Sequence, residues 1–167
     1  MTMRDSDFER LFAEHAQPLF GFLAYRTGDR ELAEDLLADT FERALSARQR
    51  FDRRRGSEKN WLYSIALNCL RDHQRRQAAE GRALDRVAND ERHAVDAAPP
   101  LSDRVGDREA VVGALATLSA EEREAIALRF GAELTIPEIA KLTGQPLARM
   151  EGRVYRGLRK LRNELSD

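Results

Sequence analysis

The sequence predicts an all-α chain: two small helical modules joined by a flexible linker, the second of them a helix-turn-helix. Three observations carry this. Strand signals are nearly absent, with few β-branched runs, no Asn-Gly turn and no sustained apolar–polar alternation. Apolar residues instead recur at spacings of three and four along most of the 167 positions. The recurrence fails from Ala78 to about Asp107, a stretch with Pro99-Pro100, several Asp and Ala residues and no bulky apolar cluster. Modules are therefore expected at 1–77 and 109–167, around a linker at 78–108.

In chain order, Phe8, Leu11, Phe12, His15 and Leu19 mark the first helix. Pro18 interrupts that pattern, which predicts a second helix starting there and ending near Gly28, a residue suited to helix stops. Asp29 can cap the next helix, whose apolar stripe is Leu32, Ala33, Leu36, Leu37, Thr40, Phe41, Ala44 and Leu45. A basic loop runs from Arg48 to Lys59 and contains Arg53-Arg54-Arg55-Gly56. A long helix then carries Trp61, Leu62, Ile65, Ala66, Cys69 and Leu70 on its apolar side. Within the linker only a transient helix around Leu84 to Val87 is expected. The second module opens near Glu109 with Val111, Val112, Leu115 and Leu118. Ser119 and Glu122 form a capping box, so a new helix is expected to run through Ile126, Leu128 and Phe130 to Gly131.

Thr135-Ile136-Pro137-Glu138 is a further capping box, with Pro in the tolerated first turn. Its short helix carries Ile139, Ala140 and Leu142, and Ala140 is small enough for two helices to cross closely. Gly144 permits the left-handed conformation of a tight turn. The helix after it repeats Leu147, Met150, Val154, Leu158 and Leu161 as its expected buried face. At about 100° per residue, the opposite face holds Gln145, Ala148, Arg149, Gly152, Arg156 and Arg159, with Arg153 on its flank. An arginine-rich helix behind a tight turn suits duplex DNA, because Arg pairs with phosphates or makes two hydrogen bonds to guanine in the major groove. The plain alternative is an amphipathic helix with a solvated basic face. The two capping signals and the Ala140, Gly144, Met150 spacing favour the DNA reading.

A net charge of −1 does not argue against this, because the charge is unevenly spread. Residues 48–82 carry 10 basic and 4 acidic side chains, and residues 141–167 carry 7 and 3. Residues 1–47 carry 5 and 10. Phosphate contact needs a local positive patch, not a positive protein. With 34% charged residues and no run near the roughly 18 apolar residues of a spanning helix, membrane insertion is not expected. Cys69 is the only cysteine and no secretory leader is evident, so a reducing cytoplasm is expected. His15, His73 and His93 are isolated, and there is no HExxH, GxxxxGK[ST] or GxGxxG. No cofactor, metal or catalytic residue is expected, and the chain is not read as an enzyme.

Two longer motifs sharpen the reading. Ala33-Glu34-Asp35-Leu36-Leu37-Ala38-Asp39-Thr40-Phe41-Glu42-Arg43-Ala44 is the first, and Trp61-Leu62-Tyr63-Ser64-Ile65-Ala66-Leu67-Asn68-Cys69-Leu70-Arg71-Asp72-His73-Gln74-Arg75-Arg76 the second. With Leu118–Ile126, Glu138-Ile139-Ala140 and Arg153–Arg162, they resemble the sigma-70 family of bacterial RNA polymerase sigma factors, in its compact extracytoplasmic-function (group IV) subfamily. The resemblance covers about 8–77 and 110–165. It implies a promoter-specificity subunit that binds core RNA polymerase, duplex −35 DNA and the single-stranded −10 element.

For core polymerase, the resemblance implies Asp35, Leu36, Asp39, Phe41 and Glu42. For the −10 strand it implies Arg53, Arg54 and Arg55 in a base-capture loop, then Trp61, Asn68, Arg71, Asp72, Arg75 and Arg76. Taken alone, Trp61 reads as a core anchor rather than a stacking platform. For the −35 element it implies Thr135, Gln145, Arg149, Gly152, Arg153, Arg156 and Arg159. An anti-sigma factor is a further expected partner. Four residues depart from the family pattern: Ala38 replaces Gln, Glu58 an aromatic, Ser119 a Pro, and Glu151 a cation next to the mid-helix Gly152. The alternative function is a helix-turn-helix regulator acting without polymerase, against which the motif around Asp35 argues. Footprinting without polymerase separates the two.

Overall fold

The computed structural model describes residues 3–84 and 105–166. Among them there is no strand. The helices are α1 (Asp5–Thr27), α2 (Arg30–Ala47), α3 (Glu58–Leu84), α4 (Val105–Ala116), α5 (Ala120–Ile126), α6 (Ile136–Thr143) and α7 (Leu147–Leu165). The all-α expectation holds, and no described helix is long and apolar enough to cross a membrane. The helix expected around Leu84 to Val87 falls mostly outside the described residues.

The chain forms two compact units. One gathers Met1–Ala16 with Glu34–Ala94, the other Gln17–Ala33 with Val95–Asp167. In the first, Leu11, Phe41, Ala44, Leu62, Tyr63, Ala66, Leu67 and Leu70 are buried. Phe41 takes the rings of Phe12 and Phe8 edge-on, at 4.7 and 6.3 Å between centroids. Phe12 still leaves half its surface to solvent. The Thr40 hydroxyl, buried in this core, donates to the Leu36 carbonyl at 2.6 Å.

Pro18 does not start a new helix: α1 runs unbroken through it. Proline lacks the N–H that would bond to the Glu14 carbonyl, but Pro18 is exposed, so water can satisfy that oxygen. Burial of Leu19, Phe22 and Leu23 just beyond it holds the helix together. Gly28, at φ 68°, ends the segment, and Asp29 Oδ1 accepts the Leu32 N–H at 3.1 Å to cap α2, both as expected. Helix α3 outlasts the expected end of its apolar pattern and continues to Leu84. Gln77–Glu80 are exposed, so the high helix propensity of Ala and Glu, not packing, carries these turns.

In the second unit both capping boxes form, Ser119 with Glu122 and Thr135 with Glu138. After Ile126 the expected α-helix widens into a π-helical turn, Ala127–Gly131, closed by Ala132 N–H to the Ala127 carbonyl at 3.0 Å. Gly144 takes the left-handed conformation at φ 66° and turns the chain into α7. The buried face of α7 differs from the expected one. Met150, Val154 and Gly157 are buried, whereas Leu147 and Leu158 are 46% and 39% exposed. The reason is Gly157: a Cβ there would lie 2.8 Å from Ile126 Cγ1. Its bare backbone lets α5 cross closely and sets the seam along Met150, Val154 and Gly157.

Candidate nucleic-acid and polymerase interfaces

In the first unit, α2 offers an acidic strip. Asp35, Asp39 and Glu42 recur at helical spacing and are exposed, with Ala38 between them. Leu36 and Phe41, implied with them, are 3% and 6% exposed. These two sit inside the core and support the strip from beneath. Asp39 and Glu42, with Arg43, Ser46 and Arg76, line a depression of about 390 Å³.

The basic loop is shaped by its own side chains. Asp52 Oδ1 accepts the Arg54 N–H at 3.0 Å, and the Asp52 carbonyl takes the Arg55 N–H at 3.0 Å. Ser57 Oγ accepts the Asn60 N–H at 3.1 Å and so caps α3. Arg53, Arg54 and Arg55 are all exposed on this turn. Trp61 is half-buried, its ring 5.0 Å from buried Phe51, so it anchors the loop to the core. Along α3, Asn68, Arg75 and Arg76 are exposed, and Arg71 is half-buried.

Asp72 is the exception on that face. Arg43 Nη1 reaches its Oδ2 at 2.8 Å, and Arg75 Nη1 lies 3.9 Å from Oδ1. The Arg43 hydrogen bond holds the Asp72 carboxyl below the ordinary aspartate range, and Asp72 in turn raises the Arg43 guanidinium. Glu58 is tied in the same way, to Arg53 at 2.8 Å and to Arg10 at 3.1 Å. Neither pairing was foreseeable from local pattern: 29 residues separate Arg43 from Asp72, and 48 separate Arg10 from Glu58.

In the second unit, the expected outer face of α7 divides in two. Arg149 and Arg159 are exposed, and Arg149 Nη1 donates to the Gln145 amide oxygen at 3.1 Å. Gly152 lies on the same side, half-buried. The flanking cations turn instead to α5. Arg153, 15% exposed, lies 3.3 Å from Glu121. Arg156 is 3.7 Å from Glu122, and Lys160 donates to Glu122 at 2.7 Å. Glu122 is buried, and the Lys160 hydrogen bond holds its carboxyl below the ordinary glutamate range. Thr135 is exposed, with its hydroxyl engaged in the cap with Glu138. The sequence marks Glu122 as a capping residue but carries no sign that it and Glu121 pair with Lys160, Arg156 and Arg153, which lie more than 30 positions away.

Comparison with known proteins divides the chain into an N-terminal and a C-terminal match, and the first takes in Gln17–Ala33, which packs in the second unit. Residues 11–80 match the family model described as Sigma-70 region 2, and residues 108–161 match Sigma-70, region 4. The RNA polymerase sigma factor CarQ of Myxococcus xanthus is 36% identical over 166 residues, covering 96% of this chain and 90% of that protein. The ECF RNA polymerase sigma factor BldN of Streptomyces coelicolor is 30% identical over 167 residues, of which the match spans 96% of this chain and 61% of that protein. Among solved structures, the sigma factor RpoE of Bartonella quintana, in complex with the anti-sigma factor NepR, superposes with a TM-score of 0.80 at 25% identity, covering 96% of this chain and 98% of that one. CnrH, in complex with the cytosolic domain of CnrY, gives 0.65 at 26% identity, covering 98% and 90%.

Proposed function

The chain belongs to the sigma-70 family of RNA polymerase sigma factors, in its extracytoplasmic-function group, and on that basis we propose how its residues divide the work of promoter recognition. The observation that carries the assignment is the pair of arginine-rich helices, one behind a structured loop and one behind a capped tight turn, each inside a matching sigma-70 region.

The exposed carboxylates of Asp35, Asp39 and Glu42 dock on a basic surface of core polymerase, with Leu36 and Phe41 fixing their spacing from the core side. The loop Arg53–Arg55 and the α3 residues Asn68, Arg71, Arg75 and Arg76 hold the melted −10 strand. Cations take phosphates, and Asn68 reads an unstacked base edge. Trp61 and Asp72 act one step behind, Trp61 by anchoring the loop and Asp72 by orienting Arg43 and Arg75. In the second module Gln145, Arg149, Gly152 and Arg159 face the −35 major groove. Arg153 and Arg156 lie at the flank, where phosphates run, and Thr135 caps the first helix of the motif.

No catalytic group enters this scheme. Contacts made only with the open strand favour the melted promoter, so binding energy itself shifts the duplex toward opening. The protein acts in the cytoplasm as a transcription initiation factor. An anti-sigma factor that covers these surfaces is the natural regulator, since the solved relative RpoE is in complex with the anti-sigma factor NepR.

Reconstitution tests the whole reading. Core polymerase supplemented with this chain should give run-off transcripts from a defined promoter set, and the triple variant Asp35→Arg, Asp39→Arg, Glu42→Arg should fail to bind core. A chain that binds promoter DNA on its own and ignores core polymerase would refute it.

A further inference from the structure

Glu58 has no role in the scheme above. It puts a negative charge at the start of a helix that is to meet DNA, at a position where the family resemblance leads one to expect an aromatic ring. Its side chain is 18% exposed and takes two guanidinium groups at once. Arg53 Nη2 donates to Oε1 at 2.8 Å, and Arg10 Nη2 donates to Oε2 at 3.1 Å. One cation comes from the candidate base-capture loop and the other from α1. Both are about half exposed; without Glu58, Arg53 would lose its carboxylate partner and Arg10 would keep only the longer contact to Asp7 Oδ1 at 3.9 Å among the described ion pairs.

The three side chains rim an open cavity of about 480 Å³, completed by His15, Ser57 and Lys59. Burial pushes the His15 imidazole below its ordinary range, so at neutral pH the charge of the rim is set by Arg10, Arg53, Lys59 and Glu58. A first-turn carboxylate is also favoured by the positive end of α3, which helps fix Glu58 where it is.

We propose that Glu58 is a positioning residue for capture of the −10 strand: it holds Arg53 and Arg10 at the rim of this cavity, so that an unstacked nucleotide of single-stranded DNA meets an ordered pocket rather than two loose phosphate-binding cations. The inference rests on the assignment of the 53–76 surface to the melted strand.

The consequence is measurable as salt dependence. A guanidinium held by a carboxylate can still give its remaining N–H groups to a phosphate, but the pair as a whole neutralises less of the strand's charge and releases fewer counterions. On a single strand each phosphate neutralised adds about −0.7 to the slope of log K against log salt. Glu58→Gln keeps the shape and removes the charge, which frees one or two cations. Its slope should steepen by about 0.7–1.4, and its affinity at low salt should rise several-fold.

The experiment titrates the full chain, with and without core polymerase, against a labelled single-stranded oligonucleotide of random sequence at several salt concentrations. Glu58→Gln and Glu58→Ala should both steepen the slope, and Glu58→Asp, which keeps the charge, should restore it. Arg53→Gln should remove more slope from the Glu58→Gln background than from the wild-type chain. A merely structural Glu58 would lower thermal stability and leave the slope alone. Equal slopes for wild type and Glu58→Gln, or strictly additive effects of Glu58→Gln and Arg53→Gln, would overturn the proposal. A wild-type chain that binds no single strand in either form would overturn the −10 assignment itself, and this inference with it.

Discussion

The proposed −10 and −35 surfaces are both rich in arginine, and both contain carboxylates that take some of those arginines out of use. They differ in where the carboxylates stand. On the −10 surface, Glu58 and Asp72 belong to α3, the helix that is to meet DNA, and their partners arrive from α1, α2 and the loop. On the −35 surface, Glu121 and Glu122 belong to α5 and reach only the flank of α7, leaving Arg149 and Arg159 outward. The −10 acids therefore tune the charge shown to a single strand. The −35 acids secure the reading helix to its neighbour and leave its outer face alone. A single strand has no fixed shape, so the protein must supply the order. A duplex is already ordered, and the protein needs only a rigid helix to lay against it.

The largest effect should come from separating reader from support on α7. Arg149→Ala should cost about 1–3 kcal/mol in binding of polymerase holoenzyme to −35 duplex, with an unchanged melting temperature. Arg153→Ala should cost less in binding and should lower the melting temperature, because Arg153 is mostly buried against α5. Equal losses of binding would erase the distinction between face and flank.

Next comes the seam that holds the reading helix. Gly157→Ala would push a Cβ against Ile126, an overpacking cost of about 1–3 kcal/mol that the better helix propensity of Ala offsets only in part. A net destabilisation of about 1–2 kcal/mol should appear as a lower denaturant midpoint. An unchanged midpoint would mean that α5 and α7 are not locked at this glycine.

Acid should distinguish the two kinds of carboxylate. Lys160 and the Ser119 backbone hold Glu122 below its ordinary range, so its folded pKa is depressed. Its contribution is then full above the ordinary glutamate value of about 4.3 and is lost as pH falls through the lower folded value. Glu122→Gln should lower stability at pH 7 by about 1 kcal/mol and flatten the acid limb of the stability curve. Asp72 is shifted in the same direction, but its side chain is 38% exposed, so Asp72→Asn should alter that limb less. The reverse order would mean that the α5 pairs are not the structural ones.

The smallest effect carries the opposite sign. At Gly152 a Cβ would meet only the tip of the Arg156 guanidinium, at 3.0 Å, and that tip can swing away. Gly152→Ala should raise stability by about 0.5–1 kcal/mol. A loss of −35 affinity alongside the stability gain would show that the missing side chain lets the backbone approach DNA.

Local chemistry was legible without coordinates. Helix caps at Asp29, Ser119 and Thr135, the left-handed turn at Gly144 and the all-α class depend on residues within four positions of one another, and the linear chain displays those relations directly. The outward placement of Asp35, Asp39, Asn68, Arg149 and Arg159 was equally readable, because helical periodicity assigns faces. Periodicity says which way a side chain points but not how close the next helix comes. Only the tertiary structure decided that Pro18 stays inside one helix and that the seam of α7 runs through Gly157 rather than Leu158. It also decided which arginines are available. A guanidinium facing water and one facing a carboxylate 29 or 48 residues away look identical in sequence, because ion pairing depends on distance in space.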